Sequence, residues 1–360
     1  MKNTLALVLA LAVVSSPAYA SRARLEALGE GKNGSYYIND SRNMFLNPAS
    51  IVKHKKKLLL ELGAPTAAGA EGAGDSLGQG GFINTFGDFT YAVYLNNASD
   101  TMAAATSALG LQPDSAIEVQ LAGEGALNWG VGFTTAGNNQ GANNSSYMGV
   151  RAGVEKDALA VFATVGLSSK VNVGTLEALK GKLRLDAGAT YKIDNMTVFG
   201  KYSTSTNDVN AGAGAVETNT TVLGAGVGFQ KEMTKSTTMF TRVEADYSTG
   251  KSAGVTNAKS YNIPLVFGAE TQALSWLAVR GSIGHSLIGQ SVTGRADLTG
   301  LTTVGAGIGL TFGDVTIDGL VASGTQNGVD QIGMGTGAPA ADNFGFGDNM
   351  ITRIAMTYNF

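Results

Sequence analysis

The last seven residues, Ile354-Ala355-Met356-Thr357-Tyr358-Asn359-Phe360, alternate apolar and small or polar side chains and stop on an aromatic ring. In an extended strand this places Ile354, Met356, Tyr358 and Phe360 on one face, and Arg353, Ala355, Thr357 and Asn359 on the other. Chain ends of water-soluble proteins usually fray into solvent. An end this apolar suits a strand with one face on lipid, with Phe360 anchored at the membrane boundary.

The same period recurs throughout the chain. Leu183, Leu185, Ala187, Ala189, Tyr191 and Ile193 oppose Arg184, Asp186, Gly188, Thr190 and Lys192. Val304, Ala306, Ile308, Leu310 and Phe312 oppose Thr303, Gly305, Gly307, Gly309 and Thr311. Period alone suits a soluble sandwich or a membrane barrel, because both bury one row and wet the other. The amino terminus decides between them. Met1-Lys2, the apolar run Leu5 to Val14 and the small-x-small triplet Ala18-Tyr19-Ala20 read as a secretory signal peptide, residues 1–20, cleaved before Ser21. No later run approaches the ~18 apolar residues that a membrane helix needs.

Composition excludes several functions. With no cysteine, thiolate metal sites and Cys nucleophiles are ruled out. The formal charge of -3, which becomes -4 once Lys2 is removed, points to no nucleic-acid partner. The 50 glycines, roughly twice the usual ~7%, accompany clear alternation and mark a glycine-rich β protein.

Turn signals then give an all-β transmembrane antiparallel barrel over 56–360, preceded by a periplasmic or hatch segment at 21–55. Short turns are predicted at Gly123-Glu124-Gly125, Lys156-Asp157, Asp194-Asn195, around Met233, near Ala273 and at Gly313-Asp314. The echo of Thr311-Phe312-Gly313-Asp314 in Thr85-Phe86-Gly87-Asp88 adds another. Long polar connections are predicted at 137–145, 168–181, 206–218, 249–258, 287–301 and 324–348. Short periplasmic turns alternating with long external loops are the pattern of outer-membrane barrels. The tally is 16 strands of ~10 residues, with 14 the nearest alternative. Tyr247, Phe229, Phe312, Tyr358, Trp129 and Trp276 fall near strand ends, as an aromatic girdle would.

The wet faces carry the candidate pore-lining residues Glu118, Arg151, Arg184, Asp186, Lys201, Arg242, Glu244, Asp246, Arg280, Asp318 and Arg353, joined by Glu61 and Lys192. Their mixed signs predict a polar interior with weak charge selectivity. Bare stripes at Gly305-x-Gly307-x-Gly309, Gly224-x-Gly226-x-Gly228 and Gly130-x-Gly132 leave room on the inner wall. Either they keep water-filled space, or the segment before the barrel or a loop such as 100–110 packs there.

Catalysis finds little support. The two histidines are His54, in a lysine-rich stretch that reads as solvated, and His285, near Ser282 and Ser286 without an assignable third partner. Glu244 and Asp246 share a face, but Arg242 beside them favours a salt bridge. Neither an enzyme nor a cofactor or metal is expected.

Three resemblances extend this reading. The carboxyl-terminal strand, with Tyr358 and Phe360, resembles the assembly signal of bacterial outer-membrane barrels, which implies a barrel-assembly machinery as partner. Asn47-Pro48-Ala49 ahead of the first strand resembles the hatch of FadL-type fatty-acid transporters. The run Asn33 to Asp40 followed by Phe45-Leu46-Asn47-Pro48-Ala49 resembles the start of porin-like major outer-membrane proteins of predatory, Bdellovibrio-type bacteria. Together they imply an outer-membrane location with lipid as partner. The expected function is a porin for passive diffusion of small hydrophilic solutes. The alternatives are a hatch-gated channel for hydrophobic substrates and a non-conducting structural or adhesive barrel. Monomer and homotrimer both fit the sequence.

Overall fold

The computed structural model describes residues 21–63, 78–97, 115–210, 212, 214–252, 255–292, 302–323 and 350–360. Sixteen strands close into one antiparallel barrel. They are β1 (Lys57–Gly63), β2 (Gln79–Phe86), β3 (Phe89–Leu95), β4 (Ser115–Gly123), β5 (Asn128–Gln140), β6 (Asn143–Lys156), β7 (Leu159–Val173) and β8 (Leu176–Ile193). Then follow β9 (Met196–Asn210), β10 (Ala215–Thr234), β11 (Thr237–Ser252), β12 (Val255–Leu274), β13 (Leu277–Val292), β14 (Thr302–Phe312), β15 (Val315–Ser323) and β16 (Met350–Asn359). Each strand pairs with its sequence neighbours, and β1 closes on β16 from Lys57 opposite Asn359 to Gly63 opposite Arg353. The closed ring leaves no unpaired edge. It has 16 strands, not 14.

Alternation sorts the wall into two surfaces. Leu62, Ile117, Phe133, Val150, Leu183, Leu223, Val243, Phe267, Ile283, Ile308, Val321 and Ile354 are exposed on the outside. The residues that alternate with these along each strand are the charged and small ones, and they point inward. The tight turns expected from the repeated Phe-Gly-Asp are present: Gly87 and Gly313 adopt φ of 56° and 60°, a left-handed conformation that glycine enters without a Cβ clash.

Strand length departs from expectation. The strands run from 7 residues in β1 to 20 in β10 and β12. The connections expected at 137–145, 168–181, 206–218 and 249–258 are mostly strand, so that β7 to β13 form a tall wall on one side of the barrel. At ~3.3 Å per residue and ~45° tilt, 20 residues rise ~47 Å, well beyond a ~25 Å apolar band. The overhang is built from polar, β-branched and amide residues that pair across strands, as in Thr204–Thr221 (3.3 Å) and Thr206–Asn219 (2.6 Å). Apart from one row of Val171, Leu179, Val209 and Val216, these overhangs are mostly polar and therefore look like loop in sequence. The connection 324–348, part of 287–301 and the segment 100–110 lie outside the described residues.

Ahead of β1 come the helix α1 (Arg22–Ala27) and two 3-10 turns, Ser41–Phe45 and Pro48–Lys53. Each starts on a side-chain cap. Ser21 Oγ accepts from the Arg24 amide (3.0 Å), Asp40 from Arg42 (2.9 Å) and Asn47 from Ala49 (3.0 Å). Pro48 sits at the first helical position, where its missing N–H leaves no bond unmade.

Candidate functional site: the lumen and the segment that fills it

Residues 21–54 lie inside the barrel and touch its wall almost all the way round. Apolar contact comes first. Met44, Phe45, Ile51 and Val52 form one buried cluster with Leu59, Ile83, Ala92, Tyr94 and Ala122 of β1 to β4. Leu25, Leu28 and Ile38 pack with Phe240 of β11, and Ala23 and Ala27 pack with Leu320 and Ala355 of β15 and β16. Tyr36 stacks on Phe199 of β9 (centroids 4.9 Å apart) and lies 5.9 Å from Phe162 of β7.

The bare glycine stripes are where the segment approaches most closely. A Cβ on Gly305 would lie 3.0 Å from the Glu26 carbonyl, and one on Gly307 would lie 2.7 Å from the Ala27 Cβ. Gly130 faces the Pro48–Ala49 peptide, and Gly228 faces the Tyr37 ring. These distances are below ordinary carbon contact, so a side chain at those positions would displace the segment.

Ion pairs and hydrogen bonds then tie the segment to distant strands. Arg24 donates to Asp40 (3.0 Å) and to Glu270 of β12 (2.9 Å). Glu270 also accepts from Arg280 (2.5 Å), which reaches Asp318 (2.5 Å), which accepts from Ser21 Oγ (2.7 Å). Ser21 accepts from the Arg24 amide, closing a ring of alternating charges between segment and wall. A second hub centres on Glu61 of β1, which accepts from Arg42 (2.7 Å), Gln79 (2.7 Å) and the Arg22 amide (2.8 Å). Elsewhere Arg353 bonds Glu26 (2.5 Å), Arg242 bonds Glu30 (3.1 Å), Gln120 donates to the Met44 carbonyl (3.0 Å) and Asn47 to Glu155 (3.2 Å). Lys53 also pairs with Glu155. Charges this deeply desolvated persist only when paired and hydrogen-bonded.

All eleven candidate pore-lining residues project into the lumen, and each belongs to an ion pair. Glu118 pairs with Arg151 (3.1 Å), Arg184 with Asp186 (2.8 Å), and Lys201 with both Glu244 and Asp246 (3.0 Å for the latter). Glu244 also binds Arg242 (2.5 Å). Asn47, Pro48 and Ala49 are buried against β5 and β6. Tyr358 and Phe360 are exposed at the barrel rim, and the Phe360 amide donates to the Lys56 carbonyl (3.0 Å).

One expectation is corrected. His54 is not solvated: it caps the second 3-10 turn and is 3% exposed, its ring turned inward while Lys53, Lys55 and Lys56 around it stay exposed. Burial, with repulsion from Lys57 and Lys53, holds its pKa down to about 3. Burial likewise raises the carboxyls of Glu30 and Asp40. His285 faces outward and bonds Thr302 Oγ1 (2.9 Å), while Ser282 faces the lumen beside Gly29 and Gly305, so strand alternation separates them. Among the described residues no acidic or histidine cluster could hold a metal ion.

Sequence reasoning overlooked Glu270, Glu155 and the inward aromatics Phe162, Phe199 and Phe240. A charge in phase with the inner row was available for Glu270. For the aromatics nothing separates a lumen-facing ring from a lipid-facing one except strict parity counting from the nearest turn.

No family model and no curated protein matches the sequence. Among solved structures, the chain is similar to outer-membrane barrels. A Pseudomonas aeruginosa FadL homologue shows 10% identity over 95% of this chain and 98% of that one, with a TM-score of 0.43. The Pseudomonas putida toluene transporter TodX shows 10% over 95% and 98%, at 0.42. OmpT, an outer-membrane protein of Vibrio cholerae, shows 13% over 85% and 96%, at 0.40.

Proposed function

We propose that this chain is an outer-membrane channel whose lumen is closed by its own residues 21–54, and that it passes small hydrophilic solutes when that segment shifts. The observation that carries the reading is the segment's attachment to opposite walls by polar groups rather than by apolar packing alone. A permanent core would favour apolar contact, since buried ion pairs stabilise weakly for their desolvation cost. Paired charges can instead exchange partners for water as a pore opens. The apolar outer band of the ring supports a membrane setting, and the inward ion pairs of mixed sign support passage of polar solutes with little charge preference.

A second reading, passage of an apolar substrate, is favoured by one observation. Pro264 has no amide hydrogen to give, and the β11–β12 ladder skips Glu244 and Ala245 opposite it. An apolar hollow of about 370 Å³ opens there among Ala245, Asp246, Tyr247, Tyr261, Ile263 and Ile288.

Planar-bilayer recording tests the main reading. Full-length protein should conduct little or intermittently, and protein lacking 21–54 should give large, steady, weakly selective openings. Equal conductance of the two forms would refute closure by the segment. A deletion form that conducts nothing would refute the channel itself.

A further inference from the structure

The outer surface of the tall wall carries an arc of lysines. On β7 and β8, Lys170 stands directly opposite Lys180, and both are exposed. Their neighbours fix the direction. Val171 and Leu179, one residue on, are buried inside, so both lysines face out. Lys251 of β11 and Lys259 of β12 also face outward, in phase with Tyr247 and Tyr261. Lys182 lies in the same arc and is held by Asp208 and Glu217 (2.8 Å each). The other four have no carboxylate partner among the described residues.

Like charges directly opposite on a strand pair destabilise it. Lys170 and Lys180 keep this arrangement, although Asp208, directly opposite Lys180 on its other side, is held by Lys182. The level of the arc matters too. It lies just beyond the exposed Leu167, Leu183, Leu223 and Tyr261 and the half-buried Tyr247 of these strands. Tyr247 and Tyr261 contact each other at 4.8 Å, as rings at a membrane interface do. Lysines two to four residues above this level stand at headgroup depth. The arc occupies the end of the barrel where β1 leaves for 64–77 and β3 for 98–114, opposite the tight turns, which is the external end if short turns are periplasmic.

We propose that Lys170, Lys180, Lys251 and Lys259 form a docking arc for the phosphates of a phosphorylated glycolipid in the outer leaflet. The proposal rests on the outer-membrane reading above. Phosphate oxygens between Lys170 and Lys180 would replace repulsion with charge-assisted hydrogen bonds, and the acyl chains would lie on the apolar rows below. The opposite wall of short strands bears no such arc among the described residues, so the lipid binds one side of the barrel.

Native mass spectrometry of full-length protein in neutral detergent tests this, with bis-phosphorylated lipid A, the same lipid dephosphorylated, and inorganic phosphate as probes. The phosphorylated lipid should remain bound, and the dephosphorylated one should bind at least about tenfold more weakly. The quadruple variant K170Q/K180Q/K251Q/K259Q should lose that preference while keeping the wild-type heat-dependent gel shift of a folded barrel. Equal retention of both lipids, or an unchanged preference in the folded variant, would overturn the proposal. Competition by millimolar inorganic phosphate alone would also overturn it, marking an ion site rather than a lipid site. Wild-type protein that stays soluble and monodisperse without detergent would instead sink the membrane reading itself.

Discussion

Arg42→Met is the most informative single change at the segment. The Arg42 guanidinium donates to Glu61 (2.7 Å), the Tyr94 hydroxyl (3.1 Å), Asn97 (3.0 Å) and the Lys32 carbonyl (2.8 Å), and lies 4.5 Å above the Phe45 ring. Methionine keeps the apolar stem and removes every donor. Glu61, 5% exposed, would then keep only Gln79, Tyr94 and the Arg22 amide. Breaking one partner of a buried pair costs ~3–5 kcal/mol, and these remaining donors argue for the lower end, ~3 kcal/mol. At ~1.4 kcal/mol per tenfold, the balance between seated and unseated segment should move about a hundredfold toward unseated. The double variant R42M/E61L removes both charges and should recover much of the closure, because an apolar pair of similar volume often replaces a buried ion pair without loss. Open probability in planar bilayers reads both variants, with the barrel's heat-dependent gel shift as the folding control. An R42M protein as closed as wild type, or a double variant more open than the single, would refute this account of how the segment is held.

Other outcomes follow from the same contacts. Gly130→Leu or Gly228→Leu should raise open probability without unfolding the barrel, since the three atoms nearest the new Cβ belong to Pro48–Ala49 or to the Tyr37 ring of the segment; unchanged conductance would contradict the close packing. His54 has a pKa near 3 when seated and the ordinary 6.5 when solvated. As pH falls from about 6.5 toward 3, the unseated state gains a proton that the seated state refuses, so closure weakens. Buried Glu30 and Asp40, whose carboxyls are raised, pull the other way, so the measurement is the difference in open probability between wild type and His54→Asn across that window. Equal profiles would refute the burial of His54. Removing Phe360 takes away its amide bond to Lys56 at the closing seam and its exposed ring, and should lower the yield of folded barrel in membranes, read by the same gel shift.

Much of the wall was legible because its code is local. Period-two alternation, glycine at φ-positive turns and the phase of Arg184, Arg242, Arg280 and Arg353 each need only a few neighbouring residues. The count of strands and the inward placement of the charges followed from that. The overhanging hairpins were hidden because they stand clear of lipid and, as at Thr204, Thr206, Asn219 and Thr221, are mostly polar. The segment's partners were hidden for a different reason. Arg24 meets Glu270 across 246 residues and Ser21 meets Asp318 across 297, and no spacing in the chain encodes such pairs. The burial of His54 belongs to the same class, since nothing local tells a ring turned inward from the exposed lysines on either side of it.

The most direct test of closure by residues 21–54 is a disulfide between segment and wall, made in a chain with no cysteine of its own. A Cβ on Gly307 lies 2.7 Å from that of Ala27, so a shift of about 1 Å reaches disulfide range. The variant A27C/G307C should cross-link in the oxidising periplasm, stay silent in bilayers, and open on reduction at least as often as wild type. Failure to cross-link, or steady large currents through the oxidised form, would contradict closure of the lumen by this segment.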